Sequence, residues 1–462
     1  LPETLPVKIT IEKLVYGGDG LARLAPEPGR ERGKTVFVPF VLPGEVAEVA
    51  TVESKPGFER AKLTQVVTAS EKRIAAGCQY YGACGGCHYQ HVSYEDQLAF
   101  KSEILRETLL RTAKLDWADG IRAHPSPAWA YRNRTRMRMQ HAPFALGYFK
   151  FASHELLPVS SCPISSELID RAIAATWELG RAGKLPESLR EIEFFANAAN
   201  DKLLLEVFVE SKSVESKSGE PSGAENASIT SIPSITPIDV KALGDAFAAA
   251  LPELAGIAFF ATRVRRDECV ADDGGPLHTY GTPELRYATT AGEFRVSAGS
   301  FFQTNRFLTD KLIELATKDR AGRLALDLYA GAGLFTLPLA QTFEKVVAVE
   351  SSLPSVKDLH ANAPENVRIF QSTTERYLEQ LPKKMKPDLV MVDPPRAGLG
   401  ERVARKLAEL AAPRLTYLSC DPATLSRDLR LLLESGYRTE QVHMIDLFPQ
   451  TFHIESLVQL VR

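Results

Sequence analysis

Long apolar runs are missing from this chain: nowhere do 18 or more apolar residues follow one another, so no membrane span is expected. The first residues, Leu1-Pro2-Glu3-Thr4, carry neither a basic stretch nor an apolar core. A secretory leader is therefore not expected, and the missing initiator Met reads as a trimmed or partial N-terminus. Excess positive charge is missing too. With 55 Lys and Arg against 58 Asp and Glu, the net charge of −3 excludes a globally basic nucleic-acid binder, and any such affinity must come from local patches. Cysteine is sparse, six in 462 residues with three of them inside ten positions. That is no disulfide framework; it points to a cytoplasmic protein with one metal site. The length leaves room for two to four domains with ordinary cores.

What is present changes character along the chain. Over residues 6–66 short alternating stretches (Val7–Ile11, Lys34–Val38, Glu45–Val49) are separated by glycine turns such as Gly17-Gly18-Asp19-Gly20. This pattern predicts a small β-barrel of the OB type. A cysteine-rich loop at 78–91 precedes an amphipathic helix over about 94–112, with Leu98, Ile104, Leu105 and Leu109 at helical spacing. Strands and one helix are expected from about 129 to 210. Residues 211–237, rich in Ser, Lys, Glu and Pro, are expected to be a mobile surface insertion. From about 300 onward strands alternate with helices. Leu324–Tyr329, Lys345–Glu350, Asp388–Asp393 and Arg414–Ser419 are near-continuous apolar strands, which predicts a parallel sheet covered on both faces.

The first of these strands runs into Asp327-Leu328-Tyr329-Ala330-Gly331-Ala332-Gly333, whose glycines let backbone approach a ligand. The third glycine of a dinucleotide fingerprint would fall at 336, which is Thr336, so NAD and FAD lose support. Glu350 ends the next strand, where a carboxylate can accept hydrogen bonds from both hydroxyls of a ribose. A ribose without a pyrophosphate fits S-adenosylmethionine. Asp393-Pro394-Pro395-Arg396 follows the third strand, its prolines stiffening the presentation of Asp393. Cys420, in Ser419-Cys420-Asp421-Pro422, ends the fourth strand and so reaches the same edge. Glu455 lies in an apolar-flanked stretch where burying a carboxylate without a task would be costly.

These residues meet the needs of one reaction. Carbon 5 of uracil is too weak a nucleophile to take a methyl group directly. A thiolate adding at carbon 6 makes the ring an enolate, carbon 5 takes the methyl, and a base then removes the carbon-5 proton so that the thiolate can leave. One Cys, one base and one methyl donor at a single sheet edge suffice.

The chain resembles the class I RNA uracil-5 methyltransferases over nearly its whole length apart from the insertion. The resemblance is carried by the barrel, Cys78-x5-Cys84-Gly85-Gly86-Cys87, Phe301-Phe302-Gln303-Thr304-Asn305, the glycine loop, Asp393-Pro394-Pro395-Arg396, Ser419-Cys420-Asp421-Pro422 and Phe448-Pro449-Gln450-Thr451-x-His453-x-Glu455. It implies an α/β fold made of three parts. These are a TRAM-like barrel over 5–67, a central mixed α+β domain over 68–296 carrying a four-cysteine site, and a Rossmann-like methyltransferase domain over 297–462. It also implies Cys420 as nucleophile, Glu455 as base, and Gln303, Tyr329, Glu350 and Asp393 at the S-adenosylmethionine site. Leu334 stands where family members often carry Asn, so Ser372 or Thr373 is the alternative source of a polar contact.

Cys78, Cys84 and Cys87 need a fourth ligand, and Cys162, before Pro163, is the candidate. Spacing alone leaves Zn²⁺ and an iron–sulfur cluster equally open; the resemblance implies a 4Fe–4S cluster. Cys269 has no expected partner, and His88 and His91 are expected to pack rather than ligate. Arg132, Arg134, Arg136 and Arg138 alternate with other residues, which on a strand places four cations on one face, a stripe suited to RNA. The expected substrate is a uridine of RNA flipped into the pocket, in 23S ribosomal RNA ahead of transfer RNA. A non-catalytic RNA-binding or assembly factor is the alternative. No obligate protein partner is inferred, and a monomer is expected.

Overall fold

The C-terminal strands owe their order to residues that bury both faces, as the unbroken run Leu389-Val390-Met391-Val392 shows. In the computed structural model they build one eight-stranded sheet. Its order is Val367–Gln371, Phe343–Glu350, Gly322–Leu328, Leu389–Val392, Arg414–Ser419, Glu455–Val461, Arg438–Ile445 and Arg122–His124. The first five are parallel to one another. Glu455–Val461 runs antiparallel to both its neighbours. The chain order reverses between Gly322–Leu328 and Leu389–Val392, which opens a crevice at their carboxyl ends. Leu326, Val347 and Val390 lie on one face of the sheet with Leu407 and Leu429 of the covering helices; Ala325, Val346 and Leu389 lie on the other. Each fully buried aliphatic side chain contributes about 1.5–3 kcal/mol.

Residues 1–5, 27–32, 213–233, 236–237, 266–267, 272–274 and 383 are outside the described structure. Most of the insertion expected at 211–237, and the side chain of Cys269, fall outside it as well. Six strands between Val7 and Thr68 form one curled sheet around Ile11, Val36, Val38 and Val49. A nine-stranded sheet follows, against which the helices Glu167–Arg181 and Val240–Ala250 pack. The helix expected over 94–112 is α-helical over Tyr94–Thr108 and widens to a π-turn over Leu109–Ala113. Ser93 caps it, accepting from the Asp96 N–H. Among the described residues no helix is long and apolar enough to cross a membrane.

Candidate active site and four-cysteine cavity

The glycine loop leaves the strand Gly322–Leu328 at the reversal of strand order. Tyr329, Gly331 and Gly333 all take positive φ, at 64°, 55° and 99°. For Tyr329 this region is strained, and such strain gathers at functional sites. A Cβ on Gly331 would meet nothing within 4 Å, so the loop faces open space there. The Gly331 N–H donates to Glu350 Oε2 at 2.9 Å, while the Ser351 and Ser352 N–H groups donate to Oε1 at 2.7 Å each. Three backbone donors thus fix this carboxylate at the sheet edge.

Two further acids join it. Asp327 is fully buried, accepts from the Thr336 hydroxyl, and keeps its other oxygen unpartnered among the described residues. Burial and then repulsion from Glu350 push it up to about 7, opposed by the Thr336 hydrogen bond. Asp393 is pushed up to about 8, by burial first and then by Asp327 and Glu350. Three acids around one crevice suit a ligand that brings a positive charge and a ribose.

The Gln303 loop packs on this cradle, because Phe302 shares a hydrophobic cluster with Ala332 and Leu334. Gln303 is itself buried. Asn305 pins the loop to the other half of the site, donating to the Leu447 carbonyl at 3.0 Å. Leu334 points into the core, which accounts for an apolar residue at that position. Ser372 donates its N–H to the Glu350 carbonyl at 3.0 Å and so lies beside the cradle. Thr373 is spent capping the helix Thr374–Glu379.

Strand register brings the chemistry together. Ser419 pairs with Ser456 in the antiparallel ladder, so the next pair in that register sets Cys420 opposite Glu455. Burial pushes the Cys420 thiol up to about 12, with Glu455 and Asp393 adding, and Arg396 and then a backbone hydrogen bond opposing. Glu455 is buried and is pushed well above the usual carboxylate range, by burial and then by Asp393; Arg396 again opposes. Arg396 is therefore the cation that both Cys420 and Glu455 feel. Its guanidinium lies 3.3 Å from both ring nitrogens of His453. Burial and then Arg396 push that imidazole down to about 3, so it is neutral.

Two residues here escaped the reading of the sequence. Tyr16, from the N-terminal barrel, donates its hydroxyl to the Cys420 carbonyl at 3.4 Å and sets its ring edge-on to Phe452 at 5.6 Å. Arg396 entered only as part of a motif. Nothing local marks Tyr16; the stiff Asp393-Pro394-Pro395 run beside Arg396 is the signal for the other.

Cys78, Cys84, Cys87 and Cys162 line one cavity of about 350 Å³. All four are thiols rather than disulfides. Burial pushes Cys87 up to about 12, with Cys162, Cys84 and Cys78 adding to the shift. Such thiols ionise together only around a positive centre. A single zinc, with Zn–S of about 2.3 Å, would draw its ligands within roughly 4 Å of one another. Among the described residues no group of three or more His, Cys, Asp or Glu has that arrangement. His88 is packed on Phe452 and Phe151, and His91 on Tyr81, as expected of packing residues.

The arginine stripe is not free. On the strand Arg134–His141, Arg134 pairs with Glu193 and Glu206, Arg136 with Glu193 and Glu191, and Arg138 with Glu191. The acids come from the neighbouring strand, where Glu191 and Glu193 stand opposite Arg138 and Arg136, and from the one beyond. Three of the four arginines are thus matched by three glutamates, while Arg132 lies before the strand with its Nε donating to the Arg134 carbonyl at 2.8 Å. The expectation of an RNA-binding stripe is corrected for Arg134, Arg136 and Arg138, whose guanidiniums stack on Phe195, Phe208 and Phe149 inside the sheet's own network.

The family model described as tRNA (Uracil-5-)-methyltransferase matches residues 278–462, and the TRAM domain model matches residues 3–64. An uncharacterized RNA methyltransferase of Aquifex aeolicus is 32% identical over 463 residues, covering 98% of each chain. The 23S rRNA (uracil(1939)-C(5))-methyltransferase of Shewanella piezotolerans is 29% identical, covering 98% of this chain and 94% of its own. Among solved structures, the tRNA (uracil-54, C5)-methyltransferase of Pyrococcus abyssi with S-adenosyl-L-homocysteine superposes with a TM-score of 0.71. It is 22% identical and covers 98% of this chain and 100% of its own, a likeness of fold.

Proposed function

The chain belongs to the RNA uracil-5 methyltransferase family, and from that premise we propose that it methylates carbon 5 of a uridine in 23S ribosomal RNA, using S-adenosylmethionine and a Cys420 adduct. The observation that carries this reading is the register that sets Cys420 opposite Glu455, beside the crevice of Glu350, Asp327 and Asp393. Glu350 would hold the ribose hydroxyls, and the acid cluster suits a sulfonium. The Pyrococcus protein's bound S-adenosyl-L-homocysteine supports that choice of methyl donor.

Cys420 adds to carbon 6, carbon 5 takes the methyl group, and Glu455 removes the carbon-5 proton as Cys420 is expelled. Arg396, the cation that lowers both Cys420 and Glu455, stabilises the thiolate before attack and after release. Ribosomal rather than transfer RNA is favoured by the Shewanella relative, which matches along nearly its full length. The test is methyl incorporation from labelled S-adenosylmethionine into separated, unmodified ribosomal and transfer RNA, with nucleoside analysis. Label in 5-methyluridine of 23S RNA is expected. Label confined to transfer RNA would move the substrate, and none in either, with the cofactor bound, would leave an RNA-binding factor.

The four-cysteine cavity is read as the seat of a 4Fe–4S cluster held by Cys78, Cys84, Cys87 and Cys162. When bound, such a cluster supplies a covalent crosslink between the 78–87 loop and the segment before the helix Glu167–Arg181; methyl transfer itself moves no net electrons. Anaerobically purified protein is expected to be brown, with iron and acid-labile sulfide in equal amounts. Both should be lost in Cys162→Ser; zinc in their place would refute the cluster.

A further inference from the structure

Glu455 follows a turn, residues 446–454, that one helix grips from inside the protein. Gln97 and Lys101 stand one turn apart on the helix Tyr94–Thr108 and so face the same way. Both are buried, at 1% and 0% exposure. Gln97 forms a two-way pair with Gln450: its Nε2 donates to Gln450 Oε1 at 3.0 Å, and its Oε1 accepts from the Gln450 N–H at 2.9 Å. Lys101 Nζ donates to Asp446 Oδ1 at 2.7 Å and to the Phe448 carbonyl at 3.0 Å. From the other side the His88 and Tyr89 N–H groups share the Gln450 carbonyl, at 2.8 and 3.0 Å. The Tyr131 hydroxyl donates to the Pro449 carbonyl at 3.0 Å.

These contacts over-determine a strained backbone. Gln450 sits at φ 69°, a region that a residue other than Gly keeps only where its surroundings hold it. Stability alone does not explain the grip. A buried ion pair loses in desolvation most of what it gains in attraction, and apolar residues of like volume would fill the core as well. What Lys101 and Gln97 supply, and Met or Leu would not, is direction for the turn's carbonyls and amides.

We infer that Lys101 and Gln97 are positioning residues for Glu455, holding the 446–454 turn so that its carboxylate meets the carbon-5 proton of the adduct. The inference rests on the reading of Glu455 as the base. In the step concerned, Glu455 takes the proton, the C5–H electron pair becomes the C5=C6 double bond, and the C6–S bond breaks with its pair leaving on the Cys420 sulfur. Cys420 addition and methyl transfer precede it and do not use the carboxylate. A misplaced base therefore stalls the enzyme after methylation and before release.

The test uses the full chain, 23S RNA and S-adenosylmethionine, with Gln97→Leu and the double variant Lys101→Met/Asp446→Asn. The double change avoids leaving Asp446 buried without a partner. A displacement near 1 Å is expected to lower kcat about 10²-fold. KM for both substrates should hold, and a covalent, methylated enzyme–RNA adduct should accumulate on denaturing gels. Lys101→Arg, which keeps the charge and the donors, should retain part of the rate that the double variant loses. Glu455→Gln is the control. If it traps adduct while Gln97→Leu and the double variant turn over normally, or lose every step equally without adduct, the inference falls alone. If Glu455→Gln itself traps none, the reading of Glu455 falls and takes the inference with it.

Discussion

Cys420→Ala is expected to lower methyl transfer by on the order of 10⁴-fold or more, the scale seen when a covalent nucleophile is removed, while S-adenosylmethionine still binds. The two effects separate because the residues are separate. The cradle of Gly331, Glu350 and Asp327 is built from strands that do not include Cys420. Among the described residues no second thiol stands at that sheet edge; Cys78, Cys84, Cys87 and Cys162 line the separate cavity. Fold is not at stake. Alanine removes one sulfur from a half-buried position, and the helix Pro422–Glu434 keeps its Asp421 cap. The protonation state adds a check. With Cys420 at about 12, the free enzyme holds a thiol, and its thiolate fraction rises tenfold per pH unit. Alkylation of the Cys420 peptide by iodoacetamide should therefore climb steadily from about pH 7 to 10 without levelling. A plateau near neutrality would mean that Arg396 outweighs the two carboxylates. Retained turnover in Cys420→Ala, measured as 5-methyluridine formed, would remove the nucleophile from the mechanism altogether.

The parts of the site legible in the sequence are those fixed by local chain. Leu389–Val392 reads as a strand buried on both faces because every residue is apolar, and Gly331 and Gly333 announce the loop after the first strand. Glu350 follows from its place at a strand end. The parts that failed depend on strands far apart in sequence. The arginines at 134, 136 and 138 look unpaired until Glu191 and Glu193 arrive from a strand about fifty residues on, in antiparallel register. That outcome was half visible, since Glu191-Ile192-Glu193 shows the same alternation with opposite charge. Tyr16 was not visible at all. A barrel residue 404 positions from Cys420 reaches its carbonyl only through the packing of one folded unit on another. The same holds for Lys101 and Asp446, which sit 345 residues apart. A lone Lys on an amphipathic helix reads as solvated until the structure buries it.

Glu455→Gln is expected to form the methylated covalent adduct and then release it about 10²–10⁴-fold more slowly, the usual contribution of a general base. Glutamine has the shape of the neutral acid. Burial and Asp393 already hold Glu455 protonated well above the ordinary carboxylate range, so the substitution adds no unpaired charge to the core. Stability should respond with a definite sign. A carboxyl whose folded pKa is raised contributes stability that is fully present below its unfolded value, near 4.5, and is lost as pH rises through the folded value. Glutamine cannot ionise and carries no such loss. The melting temperature of the variant minus that of the native chain should therefore grow from about pH 5 to pH 9. That trend reports the buried acid in the free protein, whereas the adduct reports the base in the reaction. Together they separate two roles for one carboxylate: a merely structural Glu455 would give the melting trend and no adduct. The base must also be ionised when the carbon-5 proton departs, and Arg396 is the group on hand to favour that form. An adduct that persists in Glu455→Gln and clears in the native enzyme would assign removal of the carbon-5 proton to the ionised carboxylate, with the C6–S bond breaking as Cys420 leaves as thiolate.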